Sequence, residues 1–159
     1  MSAREKLQSL EPLARIVRRV KVRGQTVVLT NGCFDLLHAG HVKVLERAKR
    51  LGDLLIVALN SDASVRRLKG RARPLIGQRD RALMLAALES VTYVTIFSED
   101  TPRRVIQRLR PDVLVKGADW RTQAIVGRDL VKRWGGRLVR VPLLKGYSTS
   151  RLIQRIRRV

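Results

Sequence analysis

The chain holds only two histidines, His38 and His41, and they stand three residues apart in Phe34-Asp35-Leu36-Leu37-His38-Ala39-Gly40-His41. Imidazoles at that spacing can both donate hydrogen bonds to the oxygens of one phosphate chain. Gly40, between them, lets the backbone approach a ligand closely. A lone histidine beside apolar residues is ordinarily a hydrogen-bonded core residue. Two histidines confined to one small-residue turn point to chemistry instead, and the chemistry they suit is phosphate handling.

The flanking elements place them. Thr26-Val27-Val28-Leu29-Thr30 is an apolar, β-branched run that reads as a buried parallel strand, and Asn31-Gly32 turns it. From His41 onward Val44, Ala48 and Leu51 recur at helical spacing, so a helix begins at His41. A strand that turns into a helix start presents unpaired amide N–H groups and the positive end of the helix dipole together, which favours an anion.

The rest of the chain repeats this alternation. Leu7, Leu10, Leu13, Ile16 and Val20 predict a packing helix within residues 1–22, free of chemistry of its own. Strands are expected at Leu54–Leu59, Tyr93–Phe97, Val113–Val115 and Leu138–Val141. Between them, Val65 to Pro74 reads as a basic loop able to clamp phosphate. Arg79–Glu89 reads as an amphipathic helix with Leu83, Met84 and Ala87 inward. Asp100-Thr101-Pro102 supplies an N-cap and a first-position proline for a helix through Leu109, and Gly135-Gly136 stops another that starts near Gly127. Ser148 caps a last helix whose buried side is expected to be Leu152, Ile153 and Ile156. Strands alternating with helices at this spacing predict an α/β, Rossmann-like, doubly wound parallel sheet of five strands with right-handed crossovers. No linker, repeat or low-complexity tract interrupts residues 1–159, so one domain is expected. The polar glycine turns fall at carboxyl strand ends, on one rim, where open α/β sheets bind ligands.

Composition narrows the partners. With 159 residues and 45% hydrophobic content the chain can bury a sizeable core, while 4% aromatic content leaves few stacking platforms for single-stranded nucleic acid. The net charge of +21 would suit a nucleic-acid binder. The basic residues are nevertheless spread over every segment without a DNA- or RNA-binding motif. Specific nucleic-acid binding is therefore not expected, and part of the charge is assigned to a polyanionic substrate. One cysteine excludes a disulfide framework and a cysteine-based zinc site. With no long apolar run or signal-peptide pattern, no membrane association is expected and the cytoplasm is the expected compartment.

Asn31-Gly32-Cys33-Phe34-Asp35-Leu36-Leu37-His38-Ala39-Gly40-His41 resembles the HxGH signature of the cytidylyltransferase-like nucleotidyltransferases, and the likeness extends from about Val27 to Ile156. Members of that family transfer a nucleoside monophosphate from a triphosphate to a phosphorylated acceptor, and both histidines stabilise the triphosphate as pyrophosphate leaves. Tyr147-Ser148-Thr149-Ser150-Arg151 is similar to the family's second signature, a hydroxyl-rich turn on the nucleotide phosphates, with Ser150 where Thr is usual. Lys116-Gly117-Ala118-Asp119-Trp120 resembles a Lys-Gly-Gly-Asp segment followed by an aromatic, with Ala118 replacing a glycine. Together with Asn60-Ser61-Asp62, Arg67-Leu68-Lys69-Gly70 and Glu99-Asp100-Thr101-Pro102, these segments look most like the adenylyltransferases that form ADP-heptose for bacterial envelope polysaccharide.

The resemblance implies AMP transfer from ATP to heptose 1-phosphate by in-line attack of the acceptor phosphate, without a protein nucleophile. The catalytic residues it implies are His38, His41, Lys69 and Arg81. Nucleotide binding is implied for Asn31, Gly32, Cys33, Phe34, Gly40, Lys116, Gly117, Asp119, Tyr147, Ser148, Thr149, Ser150 and Arg151. Acceptor contacts are implied for Asp35, Asn60 and Asp62. Asp35 has an equally good reading as the residue that orients its own loop. Mg²⁺ is expected on the triphosphate, with no dedicated protein metal site. A homodimer and a separate sugar kinase upstream complete the expected partners. Two other readings stand beside this one. Similar HxGH domains use CTP with glycerol 3-phosphate or ATP with flavin mononucleotide, and a basic nucleic-acid-binding module on the same scaffold would bind without catalysis.

Overall fold

A computed structural model describes residues 1–119 and 121–158. Five strands, β1 (Val27–Gly32), β2 (Leu54–Asn60), β3 (Tyr93–Phe97), β4 (Val113–Gly117) and β5 (Arg137–Val141), form one all-parallel sheet in the order β3-β2-β1-β4-β5. The order reverses between β1 and β4, which opens a crevice beyond their carboxyl ends. Among the described residues seven α-helices accompany the strands: α1 (Leu10–Val22), α2 (Ala39–Lys49), α3 (Asp62–Lys69), α4 (Gln78–Ala87), α5 (Arg103–Leu109), α6 (Arg128–Arg133) and α7 (Thr149–Ile156).

The period-2 alternation of the strands sorts their side chains onto two faces. On one face Val27, Leu29, Ile56, Ala58 and Leu114 pack with Leu13 and Val17 of α1, Val105, Ile106 and Leu109 of α5, and Leu130 and Val131 of α6. On the other, Val28, Leu55, Val57, Leu59, Val113 and Val115 pack with Leu45 and Ala48 of α2 and Ala82, Leu85 and Ala86 of α4. All seven residues of β2 are buried, as a strand covered on both sides requires. Each fully buried aliphatic side chain contributes about 1.5–3 kcal/mol. The two apolar layers therefore hold the carboxyl strand ends in place.

Five expectations change. The first packing helix begins at Leu10; ahead of it Leu7 pairs in parallel with Val94, where the Gln8 N–H donates to Val94 O at 3.0 Å and the Val94 N–H to Lys6 O at 2.9 Å. β3 is an edge strand, and satisfying its open backbone groups outweighs another helical turn. Val65 to Lys69 is helical too: Ser61 caps α3 by accepting the Ser64 N–H at 3.2 Å, and Arg66, Arg67 and Lys69 lie in its last turn, where cations suit the helix dipole. The basic loop is thus confined to residues 70–77.

In α4 the inward residues are Arg81, Ala82, Leu85 and Ala86, while Leu83 and Met84 are 40% and 39% exposed. The buried guanidinium of Arg81 sets that rotation. In α7 no residue is buried and Ile156 is 66% exposed, so its apolar side does not join the core. At α5 the capping position falls on Pro102.

Candidate active site

The first turn after β1 is set by two local constraints. Phe34 sits at φ 45°, a left-handed conformation unusual for a large side chain, and its ring lies 5.1 Å from that of His41. His38 caps α2: its Nδ1 accepts the His41 N–H at 3.4 Å, and its carbonyl accepts the same N–H at 2.9 Å. In the neutral ring the proton of His38 therefore sits on Nε2, a donor facing away from the helix. The two imidazoles stack, with centroids 3.8 Å apart and an interplanar angle of 17°. A Cβ on Gly40 would stand 2.9 Å from the His38 ring and 3.0 Å from Cβ of Tyr147, so any larger residue there would push the ring aside.

Burial, and secondarily the charge of His38, lowers the His41 pKa to about 4; burial lowers that of His38 as well. Stacked rings 3.8 Å apart disfavour two adjacent charges, so the pair is neutral at pH 7 and donates without carrying charge. The Nδ1 of His41 and the Oδ1 of Asn31 are buried without a hydrogen-bond partner among the described residues. Groups left so are the ones a ligand would satisfy.

Around this turn lies a cleft of about 650 Å³. Of the residues expected from the sequence, Asn31, Gly32, Cys33, Phe34, Asp35, His41, Asn60, Lys69, Lys116, Thr149 and Ser150 line it. Lys116 donates to Asn31 O at 3.4 Å, and burial lowers its pKa to about 8. Burial likewise raises the Cys33 thiol. Ser148 caps α7 by accepting the Arg151 N–H at 3.2 Å, which aims the helix start, with Thr149 and Ser150, at the strand ends.

Arg81 is not among the lining residues. It is 1% exposed, and its guanidinium donates to Ile76 O (2.8 Å), Cys33 O (2.5 Å), Asn60 O (2.9 Å) and the Asp62 carboxylate (2.7 Å). It ties together the exits of β1 and β2 and the 70–77 loop, rather than standing in a cationic surround. Asp62 is correspondingly committed to Arg81. Asp35, 2% exposed, accepts from Arg73 and from the N–H groups of Leu75 (2.7 Å) and Ile76 (3.0 Å), so its carboxylate organises the same loop. Asn60 donates to Ser64 Oγ at 3.0 Å, and that hydroxyl donates to Glu99 O at 3.0 Å.

His38, Gly40, Gly117, Asp119, Tyr147, Ser148 and Arg151 are not among the residues that line the cleft. Tyr147 lies 6.1 Å, ring to ring, from His38, and a Cβ on Gly117 would meet Asp119 Oδ1 at 2.5 Å. Arg151 is exposed. Trp120, the aromatic of the fourth strand's exit, lies outside the described residues.

The cleft also contains residues that the sequence reading left out: Leu68, Arg73, Asp100, Thr101, Pro102, Ala124, Ile125 and Val126. Arg73 and Leu68 belong to a stretch singled out as basic, and Asp100-Thr101-Pro102 to one read only for its capping. Nothing in the pattern of Ala124-Ile125-Val126 marked it.

A parallel sheet whose switch point opens on paired imidazoles at a helix start defines an α/β domain built to handle nucleotide phosphates. The family described as cytidylyltransferase-like matches residues 29–155, and the chain belongs to it. It is thus a nucleotidyltransferase domain. The chain is 55% identical, over 152 residues, to the bifunctional protein HldE of Geotalea uraniireducens, covering 96% of this chain and 31% of that protein. It is 56% identical to HldE of Syntrophotalea carbinolica, covering 94% and 30%. The chain thus spans about a third of the length of the curated relatives it matches. Among solved structures, the lipopolysaccharide core biosynthesis protein from Thermoplasma volcanium superposes with a TM-score of 0.63 at 26% identity, covering 79% of this chain and all of that one.

Proposed function

We propose that the domain transfers AMP from ATP to heptose 1-phosphate, releasing pyrophosphate and forming ADP-heptose for envelope polysaccharide. The observation that carries the reaction type is the switch-point cleft, where the His41 imidazole, the α2 start and the hydroxyls of Thr149 and Ser150 converge. The acceptor rests on the resemblance of the strand-end segments to ADP-heptose-forming adenylyltransferases, and the likeness to a lipopolysaccharide core biosynthesis protein supports it.

The acceptor phosphate is already an anion, so the reaction needs in-line positioning and relief of charge on the departing pyrophosphate more than it needs a base. In this reading His38 and His41 donate to the phosphates, Lys69 reaches over them from the end of α3, and Asn60 contacts the acceptor. Arg81, Asp35 and Asp62 act through the loops they hold. Mg²⁺, when bound, neutralises triphosphate charge. The ion would be held mainly through phosphate and water oxygens. A kinase-type step must supply the phosphorylated acceptor, and the domain works as a homodimer in the cytoplasm. Among the described residues no helix is long and apolar enough to cross a membrane.

Pyrophosphate release, measured with Mg²⁺ and each pairing of ATP or CTP with heptose 1-phosphate, glycerol 3-phosphate or flavin mononucleotide, tests this reading. Release with ATP and heptose 1-phosphate alone is the expected result. Release with a different pair keeps the reaction and overturns the substrates.

A further inference from the structure

Charge is spread unevenly along the chain. The last of its 13 Asp and Glu residues is Asp129, and from Leu130 to Val159 the sequence carries nine Lys and Arg and no acidic residue. None of the nine lines the cleft, which takes only Thr149 and Ser150 from this stretch. The stretch ends in α7, whose two ends are built differently. The start of the helix meets the cleft, whereas its far end leaves the domain. Leu152, Ile153 and Ile156 share one helical face. Leu152 and Ile153 are half-buried and Ile156 is exposed, so the apolar stripe begins against the domain and runs out into solvent. Arg155 and Arg157 flank Ile156 on either side of the stripe, and both are exposed, as is Arg158. Leu143 and Tyr147, on the approach to the helix, are exposed too.

We propose that the outer end of α7, with the basic segment around it, binds the surface of an anionic bilayer and lays Ile156 into the head-group boundary. An exposed aliphatic side chain edged by arginines matches that boundary. The isoleucine leaves water there, while the guanidinium groups extend to the lipid phosphates. Two other occupants fit less well. On a nucleic-acid backbone the arginines would bind, but Ile156 would gain nothing, and Tyr147 is the only ring between Leu143 and Arg158 for a base to stack on. Two copies of the chain meeting here about a twofold axis would set one acid-free segment against another. The expectation of no membrane association rested on spanning runs and leader patterns, and a helix lying in the interface needs neither. The proposal makes no use of the reaction assigned to the cleft.

The test is co-sedimentation of the full chain, without nucleotide, on vesicles of phosphatidylcholine alone or mixed with phosphatidylglycerol. Wild type is compared with Ile156→Ser, Ile156→Trp and the double variant Arg155→Glu with Arg158→Glu, and circular dichroism shows that each is folded. Wild type should bind the mixed vesicles about tenfold or more tightly than phosphatidylcholine, and lose most of that advantage between about 0.1 and 0.5 M salt. The double variant should bind the mixed vesicles about tenfold or more weakly. Ile156→Ser should weaken binding about threefold to tenfold at either salt, and Ile156→Trp should strengthen it, because an indole favours this boundary. Wild type that binds neither vesicle, or both equally, overturns the proposal. Wild-type affinity in both Ile156 variants overturns it as well, and displacement of those variants from the vesicles by a DNA duplex then assigns the arginines to nucleic acid. A wild type that ignores vesicles but loses its dimer on Ile156→Ser assigns the face to a second copy instead. Failure in any of these arms leaves nucleotidyl transfer untouched, since binding is read without ATP.

Discussion

The floor and the outer wall of the cleft are built on opposite principles. In the wall, the buried polar groups that the sequence made interesting are already answered: Arg81 by three carbonyls and Asp62, and Asp35 by Arg73 and two backbone N–H groups. In the floor, the Asn31 Oδ1 and the His41 Nδ1 are buried without partners among the described residues, and desolvation has stripped charge from His41. A satisfied buried network fixes shape; an unsatisfied one waits for something to bind. The same residue types thus serve as scaffold in one place and as chemistry a few ångströms away.

Removing a scaffold member should register as stability. Arg81→Met leaves a carboxylate and three carbonyls facing a buried apolar chain and should destabilise by about 3–5 kcal/mol, read as a lowered urea midpoint. Lys69→Ala, which removes an exposed cation, should stay within about 0.5 kcal/mol of wild type in the same experiment while slowing turnover. Equal midpoints for the two variants would erase the distinction between buried scaffold and exposed cation.

Removing a floor member should register as rate. His41→Ala should keep the far-ultraviolet spectrum and lower pyrophosphate release by about 10²–10³-fold, equivalent to about 3–4 kcal/mol of transition-state stabilisation. Near-normal release in that variant would remove the imidazole from the reaction.

The sequence displayed the floor and concealed the wall. His38, Gly40 and His41 advertise themselves because their types and spacing have few other uses, and the apolar runs of β1, β2 and β4 reveal the sheet that carries them. The resemblance implied a catalytic Arg81, and nothing in the helical pattern of residues 79–89 contradicted it. Only the rotation of α4, set by carbonyl acceptors from the loop before it and from the distant exits of β1 and β2, shows that it faces in. Leu83 and Met84 were misassigned for the same reason. The start of α1 was hidden similarly, since the need of an edge strand for a partner is a property of the sheet and not of Ser2 to Ser9.

A third prediction concerns acid. The folded-state pKa of His41, about 4, lies below its ordinary 6.5, so between those values the unfolded chain binds the extra proton. Stability contributed by the neutral ring is present above pH 6.5 and is lost as pH falls toward 4. The loss is about 3 kcal/mol over that window, and His41→Gln should remove this component of the acid sensitivity in urea titrations. An unchanged acid profile would mean that the ring is solvated.

A further change in rate is expected from Gly40→Ala. Its added methyl group meets the His38 ring and Tyr147, so the imidazoles must shift by a fraction of an ångström to an ångström. Misplacement on that scale lowers turnover by up to about 10²-fold with little effect on the melting temperature.

The most direct test of the central claim is the product itself. Phosphorus nuclear magnetic resonance of a reaction with Mg²⁺, ATP and heptose 1-phosphate should show inorganic pyrophosphate and a sugar-linked diphosphate of ADP growing together in equal amounts. ADP with inorganic phosphate, or AMP with pyrophosphate and unchanged heptose 1-phosphate, would contradict nucleotidyl transfer to that acceptor.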